Sequence, residues 1–217
     1  MSAEQRPPSQ LLPTPAREAT RRLFFAFWPN EAQRAALAHA VAESVEACGG
    51  RAVPTHNLHV TLAFLGSVPE GRVAELDRIA SRVAAALPPE ASSWSLSFDR
   101  LEHWARPQIL VALGSEEREG VQFGAGARAA QPASLPGLAL RLKDETAAAG
   151  FSPDLKPFRA HVTVARKVAH ALAAHATRAL QWHCDAFALM ESRPHAAGPL
   201  YSVIESYLLV KSEKTRK

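Results

Sequence analysis

Cysteine is almost missing: Cys48 and Cys184 are the two in 217 residues, and no Cys-x-x-Cys pair exists. That excludes a disulfide framework and a thiolate zinc site, so both read as small buried hydrophobes, one at a helix end and one in a strand. No apolar run approaches the length of a membrane span, and no signal-type apolar stretch follows the amino terminus. Cytoplasmic residence without a membrane partner is therefore expected. No nucleotide-binding loop is present, because Gly124-Ala125-Gly126 lacks the lysine and hydroxyl residue that would hold phosphates. A strong excess of one charge is also lacking. The formal net charge is +4, with the basic residues spread along the chain, which permits an anionic partner such as RNA without requiring one.

What the chain does have is one tetrapeptide pattern, His-x-Thr-x with apolar, strand-forming x positions, in two places. His59-Val60-Thr61-Leu62 lies inside NLHVTLAFLG, and His161-Val162-Thr163-Val164 inside FRAHVTVARK. On a strand, His and Thr at i and i+2 share one face, about 6.5–7 Å apart along the chain, while the apolar pair anchors the other. Either copy alone is a weak sign, since a strand histidine and a β-forming threonine are ordinary. Two copies in matched settings predict two imidazoles and two hydroxyls around one cleft.

The rest of the chain reads as α+β. Residues 1–20 (MSAEQRPPSQLLPTPAREAT), rich in Pro, Ser, Gln and Thr, predict a disordered leader. A single domain of two lobes is expected over 21–211, with a basic mobile tail at 212–217. Strands are expected over 22–28, 58–65, 94–104, 108–113, 158–165, 182–192 and 200–211. Helices are expected from the Asn30 cap to about Ala47, from Pro69-Glu70 to Pro88-Pro89, up to about Ala149, and over 169–180. The stretch from Gly114 to Gly137 follows no pattern. Strand, helix and motif strand recur in that order around His59 and around His161. This repeat implies two pseudo-symmetric lobes with antiparallel sheets flanked by helices, and an active-site cleft between them.

Histidine suits both halves of acid–base chemistry on a phosphodiester, because its ordinary pKa near 6.5 lies close to working pH. Thr61 and Thr163 could donate hydrogen bonds to the non-bridging oxygens. A metal held by His56, His59 and His161 is a weaker reading: no carboxylate or cysteine stands at ligand spacing, and two threonines would be idle. No metal and no cofactor are expected. His56 reads as a loop residue, and His103, His170, His175, His183 and His195 as structural or surface residues. An RNA-end-binding module without turnover is the reading from another class; the intact His and Thr pairs argue for an enzyme.

With these motifs the chain resembles the two-histidine phosphoesterases, and among them the bacterial RNA 2′,3′-cyclic phosphodiesterases, also called 2′-5′ RNA ligases. RLFFAFWPNEAQRAAL, VPTHNLHVTLAFLGSVPE, FRAHVTVARK and YSVIESYLLV carry the likeness, from about Arg21 to Val210. Ala160 and Val164 depart from the Pro and Leu usual there, and neither change removes chemistry. The resemblance implies that His59 is the proton donor to the leaving oxygen and His161 the acceptor of the water proton. Thr61 and Thr163 would then be the phosphate ligands. It implies opening of RNA 2′,3′-cyclic phosphate ends to 2′-phosphates, with 2′-5′ joining in some members. Small cyclic phosphates or 2′-5′ oligonucleotides are the alternative substrates. Arg166 matches a basic position of the family and could contact a phosphate. Phe158 and Trp104 are candidates to stack on a base, against the plainer expectation of core packing, and Phe64 is read as core. No protein partner is expected, and a monomer suffices.

Overall fold

The computed structural model describes residues 18–88, 94–117, 134–196 and 198–209. Two antiparallel sheets carry the fold. The first contains β1 (Thr20–Phe27), β3 (Val60–Pro69), β8 (Ala186–Arg193) and β9 (Leu200–Leu208), in the order β3-β1-β8-β9. The second contains β2 (Arg51–Ala52), β4 (Trp94–Trp104), β5 (Ile109–Glu117), β6 (His161–Arg166) and β7 (His175–Cys184), in the order β2-β6-β5-β4-β7. Leaving β2 aside, the orders superpose: each motif strand, β3 or β6, pairs with the strand that precedes its helix, β1 or β5. The expected α+β architecture of two related antiparallel halves is present. The halves do not have separate cores, however, because one continuous cluster of buried side chains joins Leu23, Phe25 and Phe27 to Trp94, Phe98 and Trp182.

Local chemistry explains the helices. Asn30 caps α1 (Glu31–Ala40) with a reciprocal capping box: the Gln33 amide donates to Asn30 Oδ1 at 2.9 Å, and the Asn30 amide donates to Gln33 Oε1 at 3.1 Å. The helix breaks at Val41 and resumes as α2 (Ala42–Ala47), which Cys48 ends. On α3 (Val73–Ala85), Leu76, Ile79, Ala80 and Val83 recur at helical spacing and are all buried. Ser134 caps α4 (Leu135–Ala148). Trp182 Nε1 donates to the Gln33 carbonyl at 3.0 Å, fastening α1 to β7 of the second sheet. Both cysteines are free and buried, as expected.

Three sequence expectations are corrected. Residues 169–180 are not a helix; Ala169–Ala174 are irregular, and β7 begins at His175. The alanines favour helix, but pairing along β4 overrides that local preference. The repeat is therefore incomplete, since no helix follows the second motif strand. The single strand expected over 182–192 is two strands, β7 and β8, which separate at Asp185 and join different sheets. The expected leader of 1–20 extends too far by its last residue, because β1 starts at Thr20. The rest of the expected leader, the tail 212–217 and Gly124-Ala125-Gly126 lie outside the described residues. Of the patternless stretch, Gly114 belongs to β5 and Ser134–Gly137 to the start of α4.

Candidate active site

Alternation along β1 creates the cleft wall. Leu23, Phe25 and Phe27 point into the main core, whereas Phe24 and Ala26 belong to a second cluster with Ala188 and Met190, edged by Trp28, Phe64 and Tyr201. His59 sits among the aromatic members of that cluster. Its ring lies 5.1 Å from Phe24, 5.8 Å from Trp28 and 5.1 Å, edge-on, from Tyr201.

The two motif histidines are held alike. His59 Nδ1 lies 2.7 Å from the Asn57 carbonyl oxygen, and His161 Nδ1 lies 2.7 Å from the Arg159 carbonyl oxygen. Each contact is made to the residue two positions back. A carbonyl only accepts, so Nδ1 carries the proton in both rings and Nε2 is left for chemistry. Thr61 Oγ1 lies 3.1 Å from His59 Nε2 and donates to it while that ring is neutral. Both histidines and both threonines line one cavity of about 570 Å³.

Burial pushes the His59 imidazole down to about 4; the positive charge of Arg166 and the nearby His161 act in the same sense, against the bond to the Asn57 carbonyl. His161 is also lowered, first by burial and then by the charge of Arg159, against its own carbonyl bond. Both shifts favour the neutral ring.

A bulge sits in each motif strand. Thr61 pairs with Ala26 and Ala63 with Phe25, so Leu62 has no partner; Thr163 pairs with Val111 and Ala165 with Leu110, so Val164 has none. An unpartnered residue flips the alternation beyond it. The residue three past each threonine, Phe64 or Arg166, therefore turns to the cleft face. Both line the cavity, which corrects the reading of Phe64 as core.

Trp104 and Phe158 do not line the cavity. Trp104 packs against His161 with ring centroids 4.6 Å apart, and its Nε1 donates to Glu102 Oε1 at 3.0 Å. Glu102 also binds the Arg159 guanidinium at 2.8 Å. Phe158 is half-buried against the main core. His195 lines the cavity, although its sequence setting gave no sign of it. Arg22, Arg51 and Tyr201 line it as well and lie outside the motifs. The alternation of RLFFAFW was the available signal for Phe24 and Arg22; nothing local signalled Tyr201, which comes from the far end of the chain.

His56 is exposed on the 3-10 turn Thr55–Asn57. Among the described residues no group of three or more His, Cys, Asp or Glu side chains could hold a metal ion. A third His-x-Thr triplet, His175-Ala176-Thr177, lies on the edge strand β7, followed by Arg178 rather than an apolar residue. His175 Nε2 lies 3.0 Å from Ser44 Oγ, away from the cavity.

A family model described as LigT-like phosphoesterase matches residues 27–109. The RNA 2′,3′-cyclic phosphodiesterase of Thermus thermophilus is 31% identical over 190 residues, which cover 87% of this chain and 90% of that protein. The Escherichia coli K12 protein of the same name is 29% identical over 152 residues, covering 70% of this chain and 75% of its own length. The crystal structure of E. coli LigT complexed with 3′-AMP superposes with a TM-score of 0.70 at 25% identity, covering 89% of this chain and all (100%) of that one. The complex of the same protein with phosphate gives a TM-score of 0.65 over 90% of this chain and 100% of that chain. With its paired His-x-Thr strands facing one cavity, the chain belongs to the LigT-like, two-histidine phosphoesterase family.

Proposed function

We propose that the protein hydrolyses the terminal 2′,3′-cyclic phosphate of RNA to a 2′-phosphate, without a metal, by paired histidine acid–base catalysis. The observation that carries this reading is the matched anchoring of His59 and His161, which presents two Nε2 atoms and two threonine hydroxyls to one cavity. Family membership and the names of the curated relatives support the substrate class.

In this scheme the cyclic phosphate enters with its non-bridging oxygens toward Thr61 and Thr163. Its negative charge raises the pKa of His59, which takes up a proton on Nε2. His161 Nε2 accepts a proton from water as the water oxygen attacks phosphorus. The P–O3′ bond breaks, and His59 delivers its proton to O3′, leaving the phosphate on O2′. Each positioned proton transfer contributes about 10²–10⁴-fold. Hydrogen bonds from the threonines oppose the charge that builds on the phosphoryl oxygens. With a 5′-hydroxyl in place of water as the nucleophile, its proton passing to His161 and the P–O3′ bond breaking as before, the same groups would join RNA through a 2′-5′ bond. Every group named comes from one chain, so the scheme needs no partner subunit.

The test is phosphorus NMR on a short RNA ending in a 2′,3′-cyclic phosphate, incubated with the protein in excess EDTA. Conversion to a 2′-phosphate supports the reading. A 3′-phosphate product contradicts the assignment of the leaving oxygen, and no conversion contradicts the activity.

A further inference from the structure

Arg51 and Arg166 stand directly opposite each other where β2 pairs with β6. Like charges in that position are destabilising. Nothing nearby relieves the repulsion: among the described residues neither arginine is in an ion pair, and no Asp or Glu lines the cavity that both share with His59 and His161. Arg166 is aimed there by the bulge at Val164.

Arg51 is placed as deliberately. The two-residue strand β2 has no counterpart in the first sheet, so it breaks the pseudo-symmetry on the His161 side alone. Gly50 permits its approach: a Cβ there would come within 3.2 Å of Ala165 Cβ and 3.3 Å of the Arg166 carbonyl oxygen. Gly198 leaves room for the guanidinium, since a Cβ at that position would lie 3.3 Å from Arg51 Nη2. Two cations held against each other without a carboxylate are a site prepared for an anion that bridges them. An RNA end is itself asymmetric, with more chain on one side of the reacting phosphate only.

We propose that Arg51 and Arg166 form a second phosphate subsite, which takes the phosphate on the 5′ side of the terminal nucleotide while the threonines hold the cyclic phosphate. The inference rests on the cyclic-phosphate reading above and extends it to substrate selection. A nucleotide bearing that second phosphate neutralises the arginine pair; a nucleoside 2′,3′-cyclic phosphate without it leaves the repulsion in place.

The experiment compares kcat/KM on adenosine 2′,3′-cyclic phosphate, its 5′-phosphorylated form and the dinucleotide ApA ending in a 2′,3′-cyclic phosphate. Wild type should favour the two phosphate-bearing substrates by about tenfold or more, chiefly through KM. Arg51→Gln and Arg51→Glu should abolish that advantage, so that each variant turns over the three substrates with equal kcat/KM. An advantage for the dinucleotide alone, lost in R51E, assigns the subsite to an internucleotide phosphodiester; an advantage for both assigns it to either phosphate. Equal kcat/KM on all three in wild type, or an advantage that survives in R51E, overturns the proposal. Turnover of none of the three would remove the activity reading and leave the subsite to be judged by calorimetry. Tighter binding of adenosine 2′,5′-bisphosphate than of 2′-AMP, lost in R51E, sustains the subsite, and equal affinities overturn it.

Discussion

Phe64 and Arg166 occupy equivalent places in the two halves, each three residues beyond its motif threonine and each turned into the cavity by one unpaired strand residue. The backbone device is the same; the side chains differ. The first half offers an aromatic face, backed by the Arg22 guanidinium 4.8 Å from the ring centre. The second offers a charge. An almost symmetric cleft thereby acquires two unlike ends, as a substrate with a base at one end and phosphates at the other requires.

Phe64→Ala should raise KM for a nucleotide substrate by about tenfold, the scale of losing one base–aromatic stack, while kcat changes little. Steady-state kinetics on the dinucleotide would show this. An unchanged KM would mean that the base lies elsewhere.

Glu102 acts on His161 through Arg159. It binds the Arg159 guanidinium at 2.8 Å and the Trp104 indole at 3.0 Å, while the Arg159 carbonyl holds His161 Nδ1. Glu102→Gln leaves the Arg159 charge uncompensated beside His161, and that charge already lowers the histidine's pKa. The NMR titration of the His161 ring should therefore move to lower pH, with kcat falling by about threefold to tenfold and KM nearly unchanged. Stability should change by less than about 1 kcal/mol, because the pair is partly solvated. A His161 titration identical to wild type would contradict this coupling.

His59 makes folding stability depend on pH. Its imidazole titrates at 6.5 in the unfolded chain and at about 4 in the fold, so between those values the unfolded state binds the extra proton. The stability linked to neutral His59 is fully present above that window and is lost on acidification through it. From pH 7 to pH 5 the loss is at most about 2 kcal/mol, less to the extent that water in the cavity reaches the ring. His161 contributes in the same direction. Urea unfolding should show a smaller drop over that range for His59→Asn than for wild type; equal drops would contradict the burial argument.

Acid below that window acts on Glu191. Arg21 and Arg193 hold this buried carboxylate at 2.7 and 2.9 Å, and their hydrogen bonds bring its pKa down to about 2. Its stabilisation is present above the ordinary carboxylate pKa and is lost as pH falls toward 2. Glu191→Gln should cost about 1–2 kcal/mol at pH 7 and flatten the acid limb of the unfolding profile. Parallel acid limbs in the two proteins would contradict that.

The motif strands, the Asn30 cap and the stripe on α3 were legible in the sequence because each is decided by neighbours within one or two turns. Residues 175–180 misled because Ala and Leu favour a helix locally, while the edge of β4 decides otherwise from far along the chain. The four motif residues could be picked out, since two identical patterns point at one site. Arg51 and Tyr201 could not, because strand register and the chain's return through β9 bring them to the cavity. Phe64 was misplaced for a subtler reason: plain alternation puts it on the core face, and an unpaired Leu62 cannot be seen without the partner strand.

The proposed mechanism has two anchored imidazoles perform the reaction without a metal. Its most direct test is the turnover of a cyclic-phosphate-ended dinucleotide in excess EDTA by wild type, His59→Asn and His161→Asn, each first shown to be folded. Wild type should keep full activity in EDTA and either variant should lose about 10³-fold or more, with the double variant little worse than the singles. Wild-type activity that vanishes in EDTA and returns with added metal, or a single variant that keeps most of its turnover, would contradict it.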